Sequence, residues 1–478
     1  MYELNEKCGV FGIYGKGVDV ARLAFFGLVA LQHRGQESAG IAVSDGTNIT
    51  HHKAKGLVAH VFHEEEIKKF SGHIAIGHTR YSTSLGTNIE HAQPIIVREN
   101  LFNTTRNLAL AHNGNLPSVT ALEEFLKNEK VLLNKFSDSR LMALALGHLM
   151  EKKNIALEDA AKEAFPLFTG SFSLVAMDEK SLIAMRDECG IKPLSLGKFN
   201  GAYIVVSETC ALDTIGATFI RDVAPGELVV INDNGLHSFQ LAKPNQKLDI
   251  FEFVYFAMPN SVLLGTTVYD ARQRCGVELA KENKIDADLV IPVPETAIPA
   301  AIGYSRESGI PMETGLIKNR YVHRTFIEPD DKMRHQGVIL KLSAMPAVIR
   351  GKRIIVIDDS IVRGTTSRQL VKMIFKAGAK EVHFLVNSPP LRFPDFYGID
   401  TPDQKKLIAS TQSVKEIEQF LGVTSLHYLS YKGLLKGIGV PENQFCTSCF
   451  TGAYPINLLE RAKEVTQIKD LQLKDLQL

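Results

Sequence analysis

Apolar residues in the first half of the chain come in short runs bounded by Gly, Asn, Asp or Ser. The runs are CGVFGIYG (8–15), IAVS (41–44), HIAIGHTRYS (73–82), NLALAHNGNL (107–116) and SFSLVAMD (171–178). Their length and β-branched content predict strands. Residues 138–150 (DSRLMALALGHLM) instead place apolar side chains at three- and four-residue steps after an Asp-Ser start, which predicts a helix. Strands interrupted by helices predict an α+β domain whose sheets are covered by helices.

The rhythm changes in the second half. LVIPVP (289–294) and RIIVI (353–357) are apolar runs that stop abruptly. The second is followed by DDSIVRGTTS, a helical stretch RQLVKMIFKAG ending at Gly378, and the strand-like EVHFLVNS (381–388). That order predicts a βαβ unit of a mostly parallel sheet, with Gly378 as the helix stop. The polar, turn-rich segment 231–249 places a domain boundary near 240–250. The expected division is therefore 8–240 and 250–460, with 461–478 as a C-terminal tail. The tail's DLQLKDLQL reads as an amphipathic helix end or a frayed terminus.

Composition narrows the function. The 478 residues are 45% hydrophobic and 22% charged, which excludes a mainly disordered or fibrous chain. Lys plus Arg number 54 against 53 Asp plus Glu, so there is no excess of positive charge for general nucleic-acid or membrane binding. Met1–Lys7 lacks a secretory pattern, and no apolar run approaches the ~18–20 residues of a membrane span. Six cysteines are too sparse for a disulfide scaffold, and the close pair Cys446/Cys449 points to reduced thiols or a metal. A cytoplasmic protein with small-molecule chemistry is expected.

Cys8 opens an apolar strand, where a cysteine is ordinarily a small buried hydrophobe. The functional alternative requires removal of a propeptide, residues 1–7. The freed α-amine, with a pKa near ~8, then serves as general base for the thiol beside it. Asn113-Gly114 reads by itself as a hairpin turn. Asp138, ahead of the helical pattern, reads as a helix N-cap.

Four segments in order, CGVFGI (8–13), LQHRGQESAG (31–40), GHTRYST (77–83) and AHNGNL (111–116), resemble the class II glutamine amidotransferase domain. That family has an N-terminal-nucleophile αββα sandwich. The resemblance implies Cys8 as nucleophile, with Asn113 and Gly114 as oxyanion hole. It implies Arg80 for the glutamine carboxylate and Asp138 for its ammonium. His33, His78 and Arg34 read as structural or supporting.

RIIVIDDSIVRGTTS (353–367) ends a buried strand in two acids and enters a helix through Gly and hydroxyl residues. Loop N–H groups and the hydroxyls of Thr365, Thr366 and Ser367 suit a phosphate monoester. Asp358 and Asp359 repel phosphate and suit ribose hydroxyls or a divalent cation. The segment resembles the phosphoribosyl diphosphate (PRPP) signature of type I phosphoribosyltransferases. That resemblance implies PRPP contacts from Asp358, Asp359, Arg363, Gly364, Thr365, Thr366 and Ser367. VPETAIPAAIGY (293–304) resembles the family's pyrophosphate loop, with Thr296 joining Asp358 and Asp359 around Mg2+. GLIKNRYVHRTFIEP (315–329) resembles its closing loop, with Lys318, Arg320 and Arg324 toward pyrophosphate. His323 there departs from the usual glycine.

Joined in this order, the halves resemble the amidophosphoribosyltransferase family over residues 8–460. The implied reaction hydrolyses glutamine and passes ammonia to PRPP, the first committed step of de novo purine synthesis. A homotetramer inhibited by purine nucleotides is also implied. Relatives carrying a propeptide often hold a [4Fe–4S] cluster through four cysteines. Here Cys446 and Cys449 match, while Asp249 and Asp395 stand at the other two positions. A cluster, a zinc site or no metal are all open on that set. Two other readings share parts of the pattern. An amidotransferase making glucosamine 6-phosphate would need sugar-isomerase domains in place of VIDDSIVRGTTS, and a PRPP-binding regulator would need a DNA-binding module.

Overall fold

A computed structural model describes residues 8–81, 89–97, 107–134, 136–319, 342–397 and 403–465. Arg320, His323, Arg324 and the seven residues before Cys8 lie outside the described residues.

In chain order the first-half strands are β1 (Gly9–Tyr14), β2 (Ser38–Ser44), β3 (Ile49–Lys55), β4 (Ile74–Arg80), β5 (Ile95–Val97) and β6 (Leu108–Asn115). They continue as β7 (Ser171–Met177), β8 (Leu182–Arg186), β9 (Ser195–Phe199), β10 (Ala202–Val206), β11 (Thr218–Asp222), β12 (Glu227–Asn232) and β13 (Gly235–Gln240). Two antiparallel sheets result, ordered β11-β9-β10-β1-β4-β2-β3 and β13-β12-β8-β7-β6-β5. The alternation of β1 explains their stacking. Val10 and Tyr14 join Ile74, Ile76, Val175 and Leu182 in a core between the sheets. Phe11 and Ile13 point the other way, against Leu28 of the helix Val20–Ala30. That helix lies close because Gly27 has no Cβ; one would sit 2.3 Å from the Phe11 ring. On the far side, helices Asp138–Lys153 and Leu157–Ala164 cover β6, β7 and β12. The layers run helix, sheet, sheet, helix. Because both faces of each sheet are covered, inner strands read as nearly continuous apolar runs.

The second half contains β14 (Leu248–Asp249), the short hairpin β15 (Val262–Leu263) and β16 (Thr266–Thr267), β17 (Leu289–Pro292), β18 (Leu316–Lys318), β19 (Leu342–Ala344), β20 (Arg353–Asp358), β21 (Glu381–Val386), β22 (Ser425–Tyr428) and β23 (Phe445–Cys446). β17, β20, β21 and β22 form a four-stranded, fully parallel sheet in that order. The helix Thr365–Lys376 crosses from β20 to β21, and Gly378 follows it at φ +100. Apolar clusters pack on both faces, with Ile355 and Ile357 on one side and Ile354 and Val356 on the other.

Candidate active sites

Two loop clusters carry chemistry, one at an edge of the sandwich and one at the carboxyl end of the parallel sheet. Cys8 is half-buried just before β1. The register pairs Gly9 with Thr79, which sets the Cys8 backbone beside Arg80 at the end of β4. The Arg34 Nε donates to the Cys8 carbonyl at 3.1 Å. Arg80 is 4% exposed, and its Nη1 lies 3.3 Å from Glu37 Oε1.

The two sheets are tied at this edge by His78, whose Nε2 lies 3.1 Å from the His112 carbonyl. Asn113 and Gly114 lie near the C-terminal end of β6. They are not a hairpin turn: both are paired within the sheet, opposite Ser173 and Phe172 of β7. The turn reading fails because the pair needs close backbone approach, not chain reversal. A Cβ on Gly114 would lie 2.1 Å from the Ser171 carbonyl oxygen, and its φ is +148. Asn113 is 3% exposed, and its Nδ2 is buried without a hydrogen-bond partner among the described residues. Leaving such a buried N–H unsatisfied costs about 1–3 kcal/mol.

Asp138 begins the helix Asp138–Lys153, but Ser137 is the cap: its hydroxyl accepts from the Arg140 N–H. Asp138 turns back to the site instead. Its Oδ2 accepts from Leu116 N at 3.2 Å and lies 3.9 Å from His112 Nδ1. Burial pushes the pKa of His78 down to about 3 and lowers that of His112. Both rings are therefore neutral structural connectors.

At the other site, β17 and β20 run parallel, so the loops after them emerge side by side, where open parallel sheets place their ligands. Asp358 ends β20, and Asp359 follows at 7% exposure. The Thr296 hydroxyl, from the loop after β17, donates to Asp359 Oδ2, and Ser360 Oγ donates to Oδ1 at 2.6 Å. Gly364 caps the helix Thr365–Lys376 at φ +73. Thr365, Thr366 and Ser367 therefore occupy its first turn, where backbone N–H groups and the helix dipole favour an anion. Arg363 immediately precedes this cap. Lys318, at the end of β18, pairs with Glu295 at 3.1 Å.

A buried network between the sites was not anticipated. Arg34, 1% exposed, pairs with Glu208 and, at 2.7 Å, with Glu252. Glu208 also accepts from His33 at 2.7 Å, Ser261 Oγ at 2.7 Å and Met258 N at 2.9 Å. Burial pushes the Glu208 carboxyl up, but His33 and Arg34 outweigh it and hold it well below the usual carboxylate range. The usable signal was Glu252 inside the apolar run IFEFVYF, since an acid in such a run requires a buried partner.

Asp249, Asp395, Cys446 and Cys449 come together as a buried group, with β14 pairing β23 so that Asp249 lies opposite Cys446. Burial, followed by the Asp249 and Asp395 charges, pushes both thiols up.

A four-layer sandwich with a half-buried cysteine just before β1, joined to a parallel sheet whose carboxyl end carries an acid pair and a Gly-capped helix start, has the architecture of a glutamine amidotransferase coupled to a phosphoribosyltransferase. Comparisons agree. Residues 78–214 match the model of the glutamine amidotransferase domain. The chain is 45% identical to the amidophosphoribosyltransferase of Bacillus subtilis strain 168, with 96% of each chain covered. It is 48% identical to that of Synechococcus elongatus, covering 96% of this chain and 93% of the relative. The solved B. subtilis glutamine PRPP amidotransferase, complexed with ADP and GMP, superposes with a TM-score of 0.87 at 45% identity. It covers 94% of this chain and 98% of that one. The chain belongs to the amidophosphoribosyltransferase family, with an N-terminal-nucleophile domain followed by a phosphoribosyltransferase domain.

Proposed function

We propose that Cys8, once residues 1–7 are removed, is the nucleophile of this glutamine-dependent PRPP amination. Its thiolate attacks the glutamine amide carbon, and the α-amine carries the thiol proton. Negative charge then gathers on the former carbonyl oxygen. The Asn113 amide and the Gly114 N–H are the donors to it, and the orphaned Asn113 Nδ2 is the observation that carries this reading. Collapse expels ammonia with the returned proton and leaves a thioester, which water hydrolyses to glutamate. Arg80 holds the glutamine carboxylate and Asp138 its ammonium.

Ammonia passes internally and attacks C1 of PRPP, displacing pyrophosphate and giving 5-phosphoribosylamine. The first turn of Thr365–Lys376, with Arg363 and Gly364, takes the 5-phosphate. Asp358 and Asp359 take the ribose hydroxyls, and Lys318, Arg320 and Arg324 face the pyrophosphate. The clustered oxygens of Thr296, Asp358 and Asp359 are hard donors of the kind Mg2+ prefers, and Mg2+ supplies charge neutralisation of the leaving pyrophosphate. The location is cytoplasmic, the assembly a homotetramer, and purine nucleotides inhibit.

The test is Cys8→Ala assayed with both nitrogen donors. It loses glutamine-dependent amination and keeps ammonia-dependent amination. Full glutamine use by that variant, or by a mature enzyme whose intact mass includes Met1–Lys7, refutes the assignment.

A further inference from the structure

The group Asp249, Asp395, Cys446 and Cys449 stands where relatives place an iron–sulfur cluster, and its chemistry does not fit one. Such clusters take thiolates, and two of the four donors here are hard carboxylates. Both carboxylates are already engaged. Asp249 Oδ1 accepts from Phe251 N at 3.0 Å, and Asp395 Oδ1 accepts from Tyr397 N at 2.7 Å. The remaining Asp249 oxygen lies 2.9 Å from the Lys192 ammonium, with both side chains 2% exposed. Asp395 acts on the same ammonium through space. Lys192 also stands over the Phe256 ring, 5.5 Å from its centre. The thiols face different surroundings. Cys446 packs with Ile191, Phe396, Tyr397 and Ile456, its Sγ 3.3 Å from Ser448 Oγ. Cys449 belongs to the core around Phe251 and Phe450.

We infer that Lys192 is the cation of this site, so that a protein ammonium occupies the role a metal centre plays in relatives. A metal cation among these side chains would have to displace a buried ammonium or lie against it, and either leaves a charge uncompensated. The group is then a clasp between the halves. Lys192 belongs to the sandwich, just after β8, while Asp249 and Asp395 belong to the connecting strand and the second half. Backbone bonds run alongside it: Asp249 N to Ile191 O at 3.0 Å, Lys247 N to Cys189 O at 2.7 Å and Ile250 N to Cys446 O at 3.1 Å. Asn115 Nδ2 adds a bond to Phe396 O at 2.8 Å.

The test is iron, zinc and acid-labile sulfide on the full chain purified without oxygen, with melting temperature read with and without a chelator. Far less than one metal per chain is expected, with no chelator effect on melting. Lys192→Met, which strands a buried carboxylate, lowers the melting temperature by about 5–10 °C. Adding Asp249→Asn to it recovers at least half of that loss. Iron with sulfide, or zinc, at one or more per chain overturns the inference, as does a Lys192→Met chain that melts with the parent. Should Lys192→Met not accumulate, the parent's metal content decides alone.

Discussion

Asn113 and Gly114 show how a residue acquires a role from its surroundings. An asparagine amide in water donates indifferently, but this one is buried with no acceptor among the described residues. In the proposed reading, an oxyanion formed beside it satisfies the group in the transition state more fully than in the free enzyme. Asn113→Ala is expected to lower glutamine-dependent kcat about 100- to 1000-fold while ammonia-dependent amination stays within a few-fold, measured by parallel assays. The neighbouring histidines titrate in a definable direction. The His78 pKa lies at about 3 and that of His112 is also lowered, whereas unfolded histidine titrates near ~6.5. Below that pH the unfolded chain binds more protons than the folded one. Their contribution to stability is therefore complete above about pH 6.5 and lost as pH falls, by up to ~1.4 kcal/mol per pH unit for each histidine. Denaturant unfolding from pH 7 to 4 checks this, with His78→Asn giving the shallower slope.

Among the elements, the turn from β20 into Thr365–Lys376 depends on Gly364. Its φ of +73 is costly for other residues, and a Cβ would lie 3.0 Å from Ile408 and 3.1 Å from Phe420. Gly364→Ala is expected to shift the helix start and raise the KM for PRPP about 10-fold or more with ammonia as donor, a loss of roughly 1–2 kcal/mol in strain. Steady-state kinetics with varied PRPP read it directly. The strands legible from pattern, β1, β2, β4, β6, β7, β17, β20 and β21, are buried over most of their length, so their apolar runs are nearly continuous. β13 was not legible: GLHSFQ has no buried position, and it is a strand because β12 pairs with it along its length. The Asn113-Gly114 pair misleads for a related reason. Its dipeptide favours a turn, and only pairing with β7 holds it extended.

Across the molecule, the Arg34 guanidinium links the Cys8 carbonyl to Glu208 of the sandwich and Glu252 of the second half. Removing one partner from a buried ion network leaves the others undercompensated. Glu252→Gln is expected to reduce glutamine-dependent amination at least 10-fold more than ammonia-dependent amination and to lower the melting temperature. Equal losses with both donors would show that the network is only structural. The reaction was legible in the sequence through resemblance, because the proposed nucleophile, oxyanion donors and phosphate loop each lie on a local run that can be matched without knowing the fold. Which partners the buried charges find is different. Arg34 with Glu252 and Lys192 with Asp249 join residues 218 and 57 positions apart. Burial makes each such charge demand a counter-charge, and only the packing of the two halves determines which one is within reach.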